Sequence, residues 1–276
     1  DFRPVTLAGV RANLDCRAKT RTIESSNVAA LWPGRGARKD EFLVLSAHWD
    51  HLGKDPNLPD PIFNGALDNA SGTAGLLEVA EAFTELEPER SILFLAVTAE
   101  EKGLLGSKYY AANPLWPLAQ TLANINMDVL NPYGRTRDVV SIGQGQSTLD
   151  ELLLAEAARQ GRRVEGDPEP EKGTYFRSDH FSFVKQGVPA VYAKSGLDFR
   201  DRPAGWGKER RDAYTANDYH KPSDELRADW DLSGAVEDLA LYLRVIWAIA
   251  QGDTWPAWKE GSEFKAVREA NLRTAR

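Results

Sequence analysis

Histidine and carboxylate side chains recur in short blocks along this 276-residue chain, and they are the types that hold cations or carry protons. Four histidines are few enough to weigh singly. His48 stands in the block His48-Trp49-Asp50-His51, where a carboxylate two residues away can fix the tautomer and orientation of an imidazole. His220 follows Tyr219, and His180 follows Asp179. The acids are Asp68, the adjacent pair Glu100-Glu101, and Asp128. Each could equally serve an ordinary structural role. A glutamate at a helix entrance is favoured by the helix dipole, and Asp68 would serve as a helix cap. What argues for chemistry is shared placement: His48, Asp68, Glu101 and Asp128 each fall just past a predicted buried strand or at a helix entrance.

Composition narrows the chemistry. The single cysteine, Cys16, excludes an intrachain disulfide framework and a cysteine-rich metal site, so metal ligands would be His, Asp and Glu. Two divalent ions held by three carboxylates and two neutral imidazoles would keep one positive charge in excess, which a bridging hydroxide neutralises. Metal-bound water with a pKa near about 7 supplies that hydroxide, and ions roughly 3.5–4 Å apart can share it. A net charge of −7 argues against a nucleic-acid partner. No apolar run approaches the roughly 18–20 residues of a membrane span. With 42% hydrophobic and 27% charged residues, the composition suits one large domain. A start at Asp1 rather than Met is expected of a processed or truncated chain.

The elements that must position these residues follow from periodicity. Phe42 to Ala47 has the length and content of a buried strand, and His48 stands where it stops. Lys54 to Pro61 holds three prolines and reads as a loop returning the chain to Asp68. Thr73 to Leu86 places Leu76, Leu77, Ala80 and Phe83 at helical spacing, and Pro88 stops it. Ser91 to Thr98 is apolar on both faces, predicting a central strand that delivers Glu100 and Glu101. Strands are also expected over Leu122 to Val129, Val139 to Ile142 and Pro189 to Ala193. Helices are expected over Gly103 to Ala112, Thr148 to Gln160, and Ser178 to Lys185 with Ser178 as cap. Leu197 to Asp218 reads as a polar, irregular active-site loop, and Leu232, Val236, Leu239, Leu243, Ile246 and Ile249 mark a long amphipathic helix.

Near the start, Val10, Ala12, Leu14, Cys16 and Ala18 alternate with polar residues. With a second strand over Asn27 to Trp32, this predicts a hairpin within residues 1–40 that packs on the domain. Strands alternating with helices call for a three-layer α/β/α fold with a central mixed, largely parallel sheet, as one catalytic domain over residues 1–276. In such sheets ligands gather at the carboxyl ends of strands.

In order, the blocks AHWDHLG, GALDNASG, TAEEKGLLGS, NMD, SDHFSF and YHKPSDE resemble the dizinc aminopeptidase family of clan MH. These are zinc-dependent exopeptidases related to glutamate carboxypeptidase II and glutaminyl cyclase. The blocks lie between Ser46 and Glu225, about two-thirds of the chain. The resemblance implies two zinc ions per chain, with His48 and Asp128 on one, Glu101 and His220 on the other, and Asp68 bridging both. It implies Glu100 as general base towards a metal-bridging hydroxide, Tyr219 as a stabiliser of the oxyanion, and Asp50 as support for His48. Successive side chains diverge, so Glu101 can reach metal while Glu100 faces water. Asp179 and His180 are expected in the substrate pocket, and Arg177 either meets a substrate carboxylate or belongs to the charged surface.

The implied activity is hydrolysis of N-terminal residues from peptides, with an apolar preference and no covalent intermediate. Alternatives are a carboxypeptidase or dipeptidase of the same family, a glutaminyl-cyclase-like acyltransferase using one zinc, and a noncatalytic binding domain. The resemblance also implies a secreted or periplasmic protein. Family members often carry a protease-associated domain, for which no stretch here is long enough.

Overall fold

The strand β2 (Phe42–His48) is buried along its whole length, and β5 (Ser91–Val97) nearly so, because each carries apolar side chains on both faces. Such strands need cover on both sides, which a parallel sheet between helices provides. In the computed structural model, which describes residues 3–5 and 8–274, the two lie side by side and parallel, with Phe42 opposite Ser91 and His48 opposite Val97. β6 (Thr121–Asn126) pairs parallel with the other edge of β2, Ser46 opposite Asn126, and β9 (Ala190–Ser195) continues parallel to β6.

Antiparallel strands bound this parallel centre. β1 (Val28–Trp32) runs against β5, and β7 (Asp138–Ser141) runs against β9, with β8 (Arg163–Gly166) parallel to β7. The seven-stranded order is β1-β5-β2-β6-β9-β7-β8, a mixed sheet. β3 (Gly53–Lys54) and β4 (Ile62–Phe63) form a separate ribbon in the loop after β2.

Alternation along β2 assigns the two faces. Leu43 and Leu45 join the larger core, where α1 (Ser71–Phe83), α3 (Leu149–Arg159) and α6 (Ser233–Gln251) contribute Val79, Leu153, Val245 and Ile246. Val44 turns to the opposite core with Leu93, Leu95, Tyr110 of α2 (Leu105–Ala112) and Phe183 of α4 (His180–Val184). Helices therefore cover both faces, and each fully buried aliphatic side chain contributes about 1.5–3 kcal/mol. Among the described residues, no helix is long and apolar enough to cross a membrane.

Four expectations change. Residues 10–18 form no strand, and the predicted hairpin is absent among the described residues; residues 1, 2, 6 and 7 lie outside them. Alternation alone does not secure a partner: three of the five apolar positions are Ala or Cys, and Val10 and Leu14 stay 67% and 87% exposed. The expected loop from Leu197 to Asp218 contains α5 (Trp206–Asn217), whose only buried residue is Gly207, so it carries no apolar stripe for periodicity to detect. In α6 the buried stripe runs through Ala235, Leu241, Tyr242, Val245 and Ile249, while Leu232 and Val236 face solvent. β8 and α7 (Lys265–Thr274) are further elements that were not expected from the periodicity of the chain.

Candidate metal centre

Because β5, β2 and β6 are adjacent and parallel, their carboxyl ends bring together Glu100 and Glu101, His48, and Asp128. The turns that carry them are strained. Ala99 has φ 56° and Val129 φ 64°, and His220 itself has φ 59°. The left-handed region is unusual for any non-glycine residue and more so for a β-branched one; it costs of order 1–3 kcal/mol and persists where the surroundings over-determine it. The start of α1 approaches closely enough that a Cβ on Gly72 would run into the Asn69 amide and the Met127 carbonyl. That approach seats Asp68 against the strand ends.

Asp68 is central to the arrangement. Its Oδ1 lies 3.3 Å from His48 Nε2 and its Oδ2 3.3 Å from His220 Nε2. His48 Nε2 is also 3.8 Å from Asp128 Oδ1, and His220 Nε2 is 3.1 Å from Glu101 Oε2. Ligand atoms about 2.0–2.1 Å from a tetrahedral zinc stand about 3.3 Å from one another, so this spacing suits zinc. The structure thus brings together His48, Asp68, Glu101, Asp128 and His220, with one oxygen of Asp68 turned to each histidine.

Two further groups stand close. Glu100 has a carboxylate oxygen within 4.8 Å of ligand atoms of His48 and Asp128, and His51 is placed in the same way with Asp68 and Glu101. His51 Nδ1 is 2.8 Å from Glu101 Oε1, yet both His51 nitrogens and that oxygen are buried without a hydrogen-bond partner. Orphaned buried donors and acceptors around a carboxylate cluster are what a cation would satisfy.

The electrostatics agree. Burial would push the His48 imidazole down, but the carboxylates of Asp128 and Asp68 overcome it and raise its pKa to about 12. Burial likewise works against the charged forms of Asp128 and Asp68, and neighbouring imidazoles hold both below the usual carboxylate range. The carboxylates thus draw the imidazoles towards their charged form; divalent ions would supply that positive charge instead. The residues present therefore fit a metal pair. Glu100 behaves oppositely: burial first, and the charge of Asp128 second, push it up to about 9.

The supporting bonds account for the placement. The Asp50 carboxylate accepts the backbone N–H groups of Glu100 (3.0 Å) and Glu101 (3.4 Å), while His48 Nδ1 lies 3.1 Å from the Asp50 carbonyl and 3.8 Å from its carboxylate. Asp50 therefore fixes the glutamate turn with its side chain and meets His48 chiefly through its backbone. Ser178, expected as a helix cap, instead donates to Asp128 Oδ2 at 2.6 Å, and the Tyr192 hydroxyl donates to the same oxygen at 3.2 Å. Asp224 was not anticipated. Its carboxylate accepts the N–H groups of Leu67 and Asp68, both at 3.0 Å, and Tyr214 donates to it at 3.2 Å. Its presence four residues after His220, in the block YHKPSDE, is the signal that could have found it.

A cavity of about 320 Å³ opens beside this cluster, and His48, Asp68, Glu100, Asp128, Arg177 and Tyr219 all reach its wall. The Tyr219 ring stacks on His220 with centroids 3.8 Å apart, and burial holds its phenol protonated well above the ordinary value. Asp179 and His180 are not on that wall. α4 turns both inward, where they are 0% and 1% exposed and His180 packs on Tyr192. Burial pushes Asp179 up to about 7 and His180 down to about 3.

A mixed sheet with helices on both faces and a carboxylate–imidazole cluster at its strand ends is the frame of a zinc-peptidase-like fold. Peptidase family M28 matches residues 27–244, a span that contains every member of the cluster, and the chain belongs to this family. Leupeptin-inactivating enzyme 1 of Streptomyces exfoliatus is 27% identical over 95% of this chain, and aminopeptidase YwaD of Bacillus subtilis is 30% identical over 73% of it. The chain spans 58% and 40% of those relatives' own lengths. A zinc aminopeptidase structure from Bacillus subtilis shares the fold at a TM-score of 0.60 and 20% identity, covering 87% of this chain and 52% of that one.

Proposed function

We propose that this chain carries the catalytic centre of a two-zinc aminopeptidase that removes N-terminal residues from peptides. The observation that carries the reading is the Asp68 carboxylate set between His48 and His220 at 3.3 Å on each side. Membership of the M28 family and the aminopeptidase activity for which its relatives are named support it. His48, Asp128 and Asp68 would hold one zinc, and Asp68, Glu101 and His220 the other. Bound there, zinc supplies an acidified water and polarises the scissile carbonyl.

The chain's own residues do the rest. Glu100 takes a proton from the attacking water on its carboxylate and returns it to the leaving amine. A raised pKa suits the second half of that task, and cations seated on Asp128 would oppose the part of the rise that Asp128 causes. Asp50 holds the Glu100 and Glu101 backbone so that one side chain reaches metal and the other the water. Tyr219, protonated and on the cavity wall, donates to the oxyanion. Asp224 fixes the Asp68 backbone, and His51 backs Glu101. The resemblance adds a secreted or periplasmic setting to the proposal.

Zinc analysis together with a Glu100→Gln variant tests it. The wild type should bind two zinc ions and hydrolyse a leucine anilide; the variant should keep both ions and lose about 10²–10⁴-fold in kcat, the usual contribution of a general base. One zinc per chain, or unchanged turnover in the variant, would overturn the reading.

A further inference from the structure

One wall of the cavity beside the cluster is the face shared by β7 and β9, with Val140 of β7 and Ile142 just past its end, and Tyr192 and Lys194 of β9. Val140 and Lys194 are directly paired in register, so the lysine rises among aliphatic neighbours. Its ammonium lies over the Tyr192 ring, 5.3 Å from the centroid, and among the described residues no carboxylate stands within 4.0 Å of it. Of the other cations on the wall, Arg177 is exposed to solvent and two share one carboxylate. Lys172 pairs with Glu169 at 2.8 Å, and Arg211 pairs with the same carboxylate at 2.7 Å. The charge of Lys194 reaches Asp128 and helps to hold that carboxyl low, but a half-buried ammonium with no carboxylate in contact gains from an anion that meets it directly.

The balance of charge points the same way. Outside the metal cluster the wall carries Lys172, Arg177, Lys194 and Arg211 against Asp167 and Glu169. That local excess of positive charge stands out in a chain of net charge −7. Lys194 also lies on the same face of β9 as Tyr192, whose hydroxyl donates to Asp128, and two residues along a strand is about 6.6 Å. A substrate whose scissile bond lies at the cluster can extend one side chain over that distance.

We infer that Lys194 is a specificity residue that takes a carboxylate of the substrate, namely the side chain of an N-terminal glutamate or aspartate. The methylenes of such a side chain would lie on Val140 and Ile142, and its carboxylate would meet the ammonium. This replaces the apolar preference expected from the sequence. It rests on the aminopeptidase reading and narrows it.

The test compares kcat/KM of the zinc-loaded enzyme on glutamyl, glutaminyl and leucyl p-nitroanilides. Glutamyl and glutaminyl differ only in carboxylate against amide, and the anilides carry no free C-terminal carboxylate. The wild type should favour glutamyl over glutaminyl by about tenfold or more, as expected of a charge-assisted contact. Lys194→Met should bring that ratio to about 1, and Lys194→Arg should keep it. Because each ratio is taken on one enzyme preparation, partial misfolding cancels. Leucyl turnover with a wild-type ratio near 1, or a preference that Lys194→Met leaves intact, overturns this inference and spares the aminopeptidase reading. A preference confined to dipeptides over their amides assigns the carboxylate to the substrate C-terminus and overturns it too. No turnover of any anilide overturns both.

Discussion

His48 and His220 each face an oxygen of Asp68 at 3.3 Å, yet the side chain of the first is 1% exposed and that of the second 35%. The His48 side is made from the ends of buried parallel strands, and its Asp128 is held by Ser178 and Tyr192. The His220 side arrives on a loop after a polar helix, at a left-handed residue, with Tyr219 stacked on its ring. One half of the site is part of the core and the other is laid over it. A cation on the His48 side would be held by a buried imidazole, whereas one on the His220 side would be held by an imidazole open to solvent.

Asp68 joins the halves, so removing it should have the largest effect. Asp68→Ala is expected to lose zinc from both sides and to reduce anilide hydrolysis well beyond the roughly 100-fold typical of residues that only support ligands. Zinc content and rate measured together check this; loss of one ion with the other bound as tightly would mean that the two sides are independent.

The buried side should also show in pH dependence. Asp179 is completely buried, and neither of its carboxylate oxygens has a hydrogen-bond partner. With a folded pKa raised from 3.8 to about 7, this group's contribution to stability is fully present below the unfolded value and declines as pH rises towards 7. In metal-free protein, wild type should lose up to about 4 kcal/mol relative to Asp179→Asn between pH 4 and 7, from about 1.36 kcal/mol per pKa unit. Urea unfolding across that range reads the difference, and parallel pH profiles would mean that burial of Asp179 has no bearing on stability.

The smallest effect expected concerns release of the ions. A chelator should remove the two zincs in two phases, the faster from the His220 side, and His220→Ala should abolish the fast phase. A roughly tenfold difference in rate corresponds to about 1.4 kcal/mol between the barriers. A single phase for both ions would erase the contrast between the halves.

The strand-built half was legible in the chain because apolar runs stop abruptly at His48, before Glu100 and at Asp128. A charged side chain at the end of a buried strand is costly to desolvate, so several such ends in one chain point to a ligand that offsets the cost. His220 and Tyr219 were found through their block rather than through any periodicity. Asp224 could have been found through the same block, but the close approach of His51 to Glu101 and the inward turn of Asp179 and His180 have no counterpart in local sequence pattern. They depend on which segments meet. The alternation in residues 10–18 misled for the same reason, since a period of two describes side chains and says nothing of a backbone partner.

By itself, then, the sequence determined the element types along the core, the residues at their ends and the metal-binding character of the set, because burial and charge write periodic and local signals. Only the tertiary structure decided that β2 lies between β5 and β6, that Asp68 stands between two histidines, and that Lys194 faces the cavity without a carboxylate beside it. Those facts are distances between segments far apart in the chain, set by packing and hydrogen bonding across the sheet, and no local pattern of residues encodes them.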